Sequence, residues 1–291
     1  MFPVEFEYEA PTTVEEAIRL LAESGGEAKI LAGGHSLLPM LKLRLAQPPL
    51  VIDIGRIAGL SGVSEQDGGL RIGATTTETA IQDSELVQRL CPLLSETAAH
   101  IGDQQVRNRG TIGGTLAHGD PAADMTAAVL AAGGSVTVQG PNGERTIPAD
   151  DLFLDMMTTA LEPDEVLTSV WVQTEGPRTG SAYEKFANAA SGYAIAGVAS
   201  VITLAADGTV ARARIAITGV GSKATRASGV EAALQGKRAD DQTIAAAAEH
   251  AVEGVDLIGD LHADESYREH LAKVIARRSI QRAVGRAATK S

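Results

Sequence analysis

Two double-glycine motifs constrain this chain more than any other feature: AGGHSLLPMLKLRL over residues 32–45 and TIGGTLAHGDPAAD over 111–124. Each lies beside hydroxyls and histidines and just before a helix-like stretch. A strand running into Gly-Gly-His-Ser exposes backbone N–H groups that no side chain obstructs, so they can converge on an anionic oxygen. The same argument applies to Thr111 through Thr115, where hydroxyls at both ends of Ile-Gly-Gly add two donors. Diphosphate is the natural guest. One double glycine is more often turn chemistry than a site, but two on neighbouring units point to a ligand long enough to touch both.

The 291 residues exceed the usual single-domain length of roughly 100 to 150, which predicts two or three compact units. A formal net charge of −12 argues against a nucleic-acid partner, because phosphate-backbone binding needs concentrated Lys and Arg. The C-terminal YREHLAKVIARRSIQRAVGRA, 267–287, alternates apolar and basic residues at helical spacing, which predicts an exposed arginine face. The single cysteine, Cys91, cannot form an internal disulfide or ligate a metal cluster alone. With neither a basic leader nor an apolar run of about 18 residues, the expectation is a cytoplasmic protein without a transmembrane segment.

Along the chain, Thr13 and Glu16 have capping-box spacing ahead of the helix VEEAIRLLAES. AKILAGG and LVIDI read as short strands around an amphipathic LKLRLAQPP, giving a β-α-β unit over 1–54. A second unit, 55–177, begins with two strands around Asp-Gly-Gly and helices at TETAIQDSE and PLLSETAAHIG. It continues through the second glycine motif to a helix around PAADMTAAVLAA, with Asp120 as its cap, then a hairpin turning at Asn-Gly and the strand EVLTSVWVQ. The third unit, 178–291, reads as an antiparallel meander from SAYEKFA to ARIAITGVG followed by alanine-rich helices. The fold class expected is α+β.

ILAGGHSLLPMLKLRL, RNRGTIGGTLAHGDPAADM and the SGYAIAGVA region together resemble the FAD-binding medium subunits of the molybdenum hydroxylases, the family of carbon monoxide dehydrogenase and xanthine dehydrogenase. The likeness runs in one order along essentially the whole chain. It implies a vanillyl-alcohol-oxidase/PCMH-like FAD fold of two α/β subdomains followed by an antiparallel sheet with helices. It places the FAD diphosphate on Ala32, Gly33, Gly34, His35 and Ser36, with Lys29 and Ile30 leading into that loop. Thr111, Gly113, Gly114 and Thr115 serve the flavin and its chain. Asp124 and Ile101 attend the adenosine half, Leu161 gives a backbone contact, Lys185 a contact from the third unit, and Tyr193 lies beside the isoalloxazine. Many relatives carry Asn or Ser at the position of Thr115, and a β-branched hydroxyl cannot imitate a carboxamide.

The resemblance further implies an electron-transfer subunit of an oxidoreductase. Electrons leave a molybdenum centre in a large molybdopterin subunit, pass two [2Fe–2S] clusters in a small subunit, reach FAD here and go on to NAD, a quinone or a cytochrome. A dimer of heterotrimers is the expected assembly. No catalytic residue and no metal ligand is expected in this chain: the cofactor carries the chemistry, and His35 and His118 lack further ligands at suitable spacing. The alternative is a self-sufficient FAD-dependent oxidoreductase of the same fold, which would need its own substrate domain and catalytic acid. GVGSKA, 219–224, fits a dinucleotide fingerprint, but a hairpin strand precedes it and only helices follow, so it reads as a turn. Carbon monoxide, a purine, an aldehyde or a nitrogen heterocycle all remain open as substrate.

Overall fold

The computed structural model describes residues 1–290. Thr13 accepts a hydrogen bond from the Glu16 amide, and the Glu16 carboxylate reaches back to the Thr12 amide. Helix α1 (Val14–Glu23) follows and buries Ala17, Ile18 and Leu21. It lies on a parallel sheet in which β1 (Glu7–Glu9) and β2 (Lys29–Leu31) flank β3 (Leu50–Asp53).

Helix α2 occupies Leu37–Lys42, earlier than the LKLRLAQPP stretch suggested. Its first turn opens from the Gly34 carbonyl, where Pro39 lacks only a donor that the turn does not use. Arg44, at φ 60°, closes it: Leu45 N donates to Met40 O and Arg44 N to Leu41 O, a left-handed cap that the helical spacing of the leucines concealed.

The second layer is a five-stranded antiparallel sheet. β4 (Val63–Gln66) and β5 (Gly69–Gly73) turn at Asp67-Gly68, both at positive φ. β6 (Ser135–Gly140) and β7 (Gly143–Pro148) pair Gly140 with Gly143, so the hairpin turns at Pro141-Asn142 and not at Asn-Gly. After α9 (Ala149–Leu152) and a ribbon of β8 (Phe153–Asp155) and β9 (Thr158–Thr159), β10 (Val166–Gln173) enters the centre, giving the order β4-β5-β10-β6-β7.

Between β5 and β6 run α3 (Glu78–Asp83), α4 (Glu85–Leu90), α5 (Pro92–Ala99), α6 (Gln104–Arg107), α7 (Ile112–His118) and α8 (Asp124–Ala131). Leu93, Leu94, Leu116, Met125 and Val129 from these helices bury against Leu70, Ile72, Val136 and Val170 of the sheet. Each such side chain contributes about 1.5–3 kcal/mol when removed from water. Asp120 does not cap α8. Its Oδ1 accepts from Ala122 N, closing the turn ahead of the helix, and the N-cap position falls to Ala123.

The third layer is the meander β11 (Thr179–Ala187), β12 (Ala194–Leu204), β13 (Val210–Thr218) and β14 (Thr225–Arg226), antiparallel throughout. The segment 219–224 joins β13 to β14 as a turn, and Gly219 is required there both by its φ of 84° and because a Cβ would meet the Ala194 carbonyl at 2.6 Å. Helices α10 (Ser228–Leu234) and α11 (Asp241–Ala248) precede α12 (Glu265–Thr289), which lies across β11 and β12. Gly180 permits that approach, since a Cβ would stand 2.2 Å from the Ala283 carbonyl.

The expected exposed arginine face of α12 holds only in part. Arg277 and Arg278 face solvent. Arg268 is buried and donates to the carbonyls of Ile195 and Gly219 and to Asp260, while Arg282 and Arg286 pair with Glu96 on α5. Once α12 lies on the sheet, those side chains meet the chain's own carbonyls and acids. No helix among the described residues is long and apolar enough to cross a membrane.

Candidate functional site: a cleft between two glycine motifs

The first motif leaves β2 as a loop with Gly34 at φ 79° and starts α2 three residues later, at Leu37. Among the described residues, none accepts from the backbone amides of Gly33, Gly34, His35 or Ser36. These four residues line a cleft of about 400 Å³. Consecutive amide donors without protein acceptors need water or an anion. Gly33 has a second reason to lack a side chain: its Cβ would lie 2.1 Å from the Arg109 carbonyl, so the loop rests directly on the segment that leads to the second motif.

The second motif differs from the sequence expectation, because it is not a free loop but the first turn of α7. Thr111 caps it by accepting from Gly114 N. Ile112 N donates to Thr76 O, Gly113 N to Ala74 O and Thr115 N to Thr111 O. None of these amides is left for a ligand. What the motif offers the cleft is a thin wall and the Thr111 and Thr115 hydroxyls. Gly113 is glycine because a Cβ would stand 2.6 Å from the Ala74 Cβ. Lys29, Ile30, Ala32, Thr111, Gly113, Gly114, Thr115 and Leu161 line the same cleft as the first loop.

A second cavity, about 230 Å³, shares His35, Ser36, Gly110, Thr115 and His118 with the first and continues from it. Ile101, Asp124 and Tyr193 line it together. The resemblance placed the first two at the adenosine half and Tyr193 at the flavin, whereas the fold gathers all three around one chamber. Tyr193 stands at the rim, and its phenol is raised above its ordinary pKa by burial, with Asp120 and Asp124 adding to it.

Asp124 and Lys185 form a buried ion pair at 2.9 Å. Asp124 also accepts from the Tyr183 hydroxyl, so both carboxylate oxygens are engaged within the protein. Burial pushes its carboxyl above the usual range, against the lowering effect of Lys185. The Lys185 ammonium further donates to the carbonyls of His100 and Gly192. Lys185 is thus the one residue of those assigned that lines neither cavity; it braces the chamber from behind.

Glu78 escapes the sequence reading, where it is simply an acid in the first turn of a helix. The structure buries it on the chamber wall with Thr115 Oγ1 3.3 Å from its Oε1. Its Oε2 is buried without a hydrogen-bond partner. Desolvation raises its pKa to about 8, helped by the negative charge of Asp124.

Residues 4–172 match the family model for the FAD binding domain in molybdopterin dehydrogenase, and residues 181–283 match the carbon monoxide dehydrogenase flavoprotein C-terminal domain. The chain belongs to the FAD-binding family of molybdopterin dehydrogenases. Over 288 residues it is 43% identical to the carbon monoxide dehydrogenase medium chain of Hydrogenophaga pseudoflava, covering 99% of this chain and 100% of the relative. It is 39% identical to the alpha subunit of the 6-hydroxypseudooxynicotine dehydrogenase complex of Paenarthrobacter nicotinovorans, covering 99% and 97%. The solved carbon monoxide dehydrogenase of H. pseudoflava superposes with a TM-score of 0.95 at 45% identity, over 98% of this chain and 99% of that one. Membership makes the chain an oxidoreductase subunit whose cofactor is FAD. The residues present suit it: acceptor-free amides for a diphosphate, and a chamber that sets Ile101, Val106, Ala123 and Tyr193 beside a ring.

Proposed function

We propose that this chain holds FAD extended across the junction of its three units, 1–54, 55–177 and 178–291, and serves as the electron-transfer subunit of a molybdenum hydroxylase. The diphosphate lies on the Gly33–Ser36 amides, the isoalloxazine in the chamber of Ile101, Asp124 and Tyr193, and the adenosine half toward Lys29, Ile30 and Leu161. In this arrangement Asp124 and Ile101 serve the ring end. The observation that carries the proposal is the run of four amides without protein acceptors where the two glycine motifs meet.

Bound FAD would supply the capacity to collect electrons and release them to a second carrier. This chain's residues bind and orient it. The amides fix the anionic centre, the Thr111 and Thr115 hydroxyls border it, Tyr193 covers the chamber mouth, and the Asp124–Lys185 pair sets the chamber floor. The donor of electrons is the [2Fe–2S] small subunit, fed by a large molybdopterin subunit, and the recipient is an external acceptor. The assembly is a dimer of heterotrimers in the cytoplasm. Two relatives of nearly equal length are named for quite different substrates, carbon monoxide and 6-hydroxypseudooxynicotine, which supports placing substrate choice outside this chain.

The test is expression of the chain alone and with its partner subunits. The expected result is one FAD per chain with a visible flavin spectrum, co-purification of the two partners, and flavin reduction by the complex when substrate is added. A purified chain that takes up no FAD overturns the proposal.

A further inference from the structure

The strongest unexplained group in the molecule is the Glu78 carboxyl. Its residue is 1% exposed, it lines the smaller chamber, and its only side-chain hydrogen bond is the one that Oε1 accepts from Thr115. Oε2 has no partner. Among the described residues no cation pairs with it. Asp124 on α8 is already matched by Lys185 and Tyr183, and its remaining influence on Glu78 is repulsive. Arg107 on α6 is directed to Ile101 O and Gln104, Glu96 on α5 is paired with Arg282 and Arg286, and Arg89 on α4 with Glu65. His35, His118 and Asp120 line the same chamber. A carboxyl in such a place is strongly favoured as the neutral acid, and a neutral acid presents an O–H that costs free energy unless something accepts it. The Thr115 hydroxyl can serve only one of the two carboxyl oxygens, and among the described residues the protein provides no partner for the other, so a ligand in the chamber must.

We propose that Glu78 is a positioning residue for the flavin ring, donating Oε2–H to the carbonyl- and nitrogen-bearing edge of the isoalloxazine. This rests on the flavin reading above and adds a contact that no double-glycine pattern contains. A donor at that edge stabilises the electron-rich reduced ring more than the oxidised one. Without flavin the Glu78 carboxyl is raised to about 8, and a ring that accepts its proton raises it further; above that point Glu78 is ionised in the oxidised protein, and reduction, by adding negative charge nearby, draws a proton back. Electron uptake is therefore coupled to one more proton above that pH than below it.

The experiment uses the full chain loaded with FAD, as wild type, Glu78→Gln and Glu78→Ala. Two readouts are FAD dissociation, by fluorescence quenching, and the flavin midpoint potential between pH 6 and 10. Wild type should show a potential that falls more steeply with pH beyond a break at or above about 8. E78Q, which keeps a donor that cannot ionise, should bind FAD within about twofold of wild type and lose the change of slope. E78A should bind about tenfold more weakly, the loss of one hydrogen bond. If wild type binds FAD but all three proteins share one potential profile and one affinity, this inference falls while the flavin reading stands. If wild type binds no FAD, both fall.

Discussion

Lys185 Nζ lies 2.9 Å from Asp124 Oδ2, with only 4% and 6% of the two side chains exposed. The same ammonium holds the carbonyls of His100 and Gly192. Replacing Lys185 by Met keeps the length of the side chain and leaves a buried carboxylate without its counter-ion. A loss of about 3–5 kcal/mol in urea unfolding is expected. Adding Asp124→Asn should recover part of it; a double variant as unstable as the sum of the two singles would show that the pair is not coupled.

Gly33 separates two causes of glycine retention. Gly33→Val would drive Cβ into the Arg109 carbonyl and push the amide loop off its support. An overpacking cost of about 1–3 kcal/mol converts to FAD binding roughly tenfold or more weaker. Gly176→Ala is the control, since nothing lies within 4 Å of its Cβ and its φ is not positive. Flavin absorbance of the purified proteins checks both.

Gly180 should behave in the opposite way. Gly180→Ala forces α12 away from β11 and should cost about 2–3 kcal/mol of stability. Once folded, the protein should bind FAD with near wild-type affinity, because Gly180 lines neither cavity. Equal unfolding midpoints for the variant and wild type would contradict the close approach seen here.

Glu78 links stability to pH. Its carboxyl is raised from 4.5 to about 8, so folding takes up a proton between those values. Its contribution is complete below pH 4.5 and is lost as the pH rises through 8, a span on the order of 5 kcal/mol. Without added FAD, the stability of wild type relative to E78Q should fall across that window, and urea titrations at several pH values measure it. A flat difference would mean that Glu78 is not buried as a neutral acid.

The sequence carried the placement of both glycine motifs, the capped first helix and the antiparallel meander, because each is set by neighbours within a few residues. What lay beyond it depends on partners far along the chain. The amides of the second motif are consumed by Thr76 and Ala74, and no local pattern announces that pairing. Helix α4 is a six-residue segment held by Ser84 and packed by Val87, too short for a clear period. Glu78 follows Thr77, which caps α3, so it resembles any acid at a helix start; its burial comes among others from Thr115 and Gly110, more than thirty residues away. The arginines of α12 found acids on α5 for the same reason.

Helix α12 has a consequence for the chamber although it lines neither cavity. It clamps β11 through the close approach at Gly180 and through Ser279 on the Ala182 carbonyl, so the strand that brings Lys185 to Asp124 is anchored three residues before that lysine.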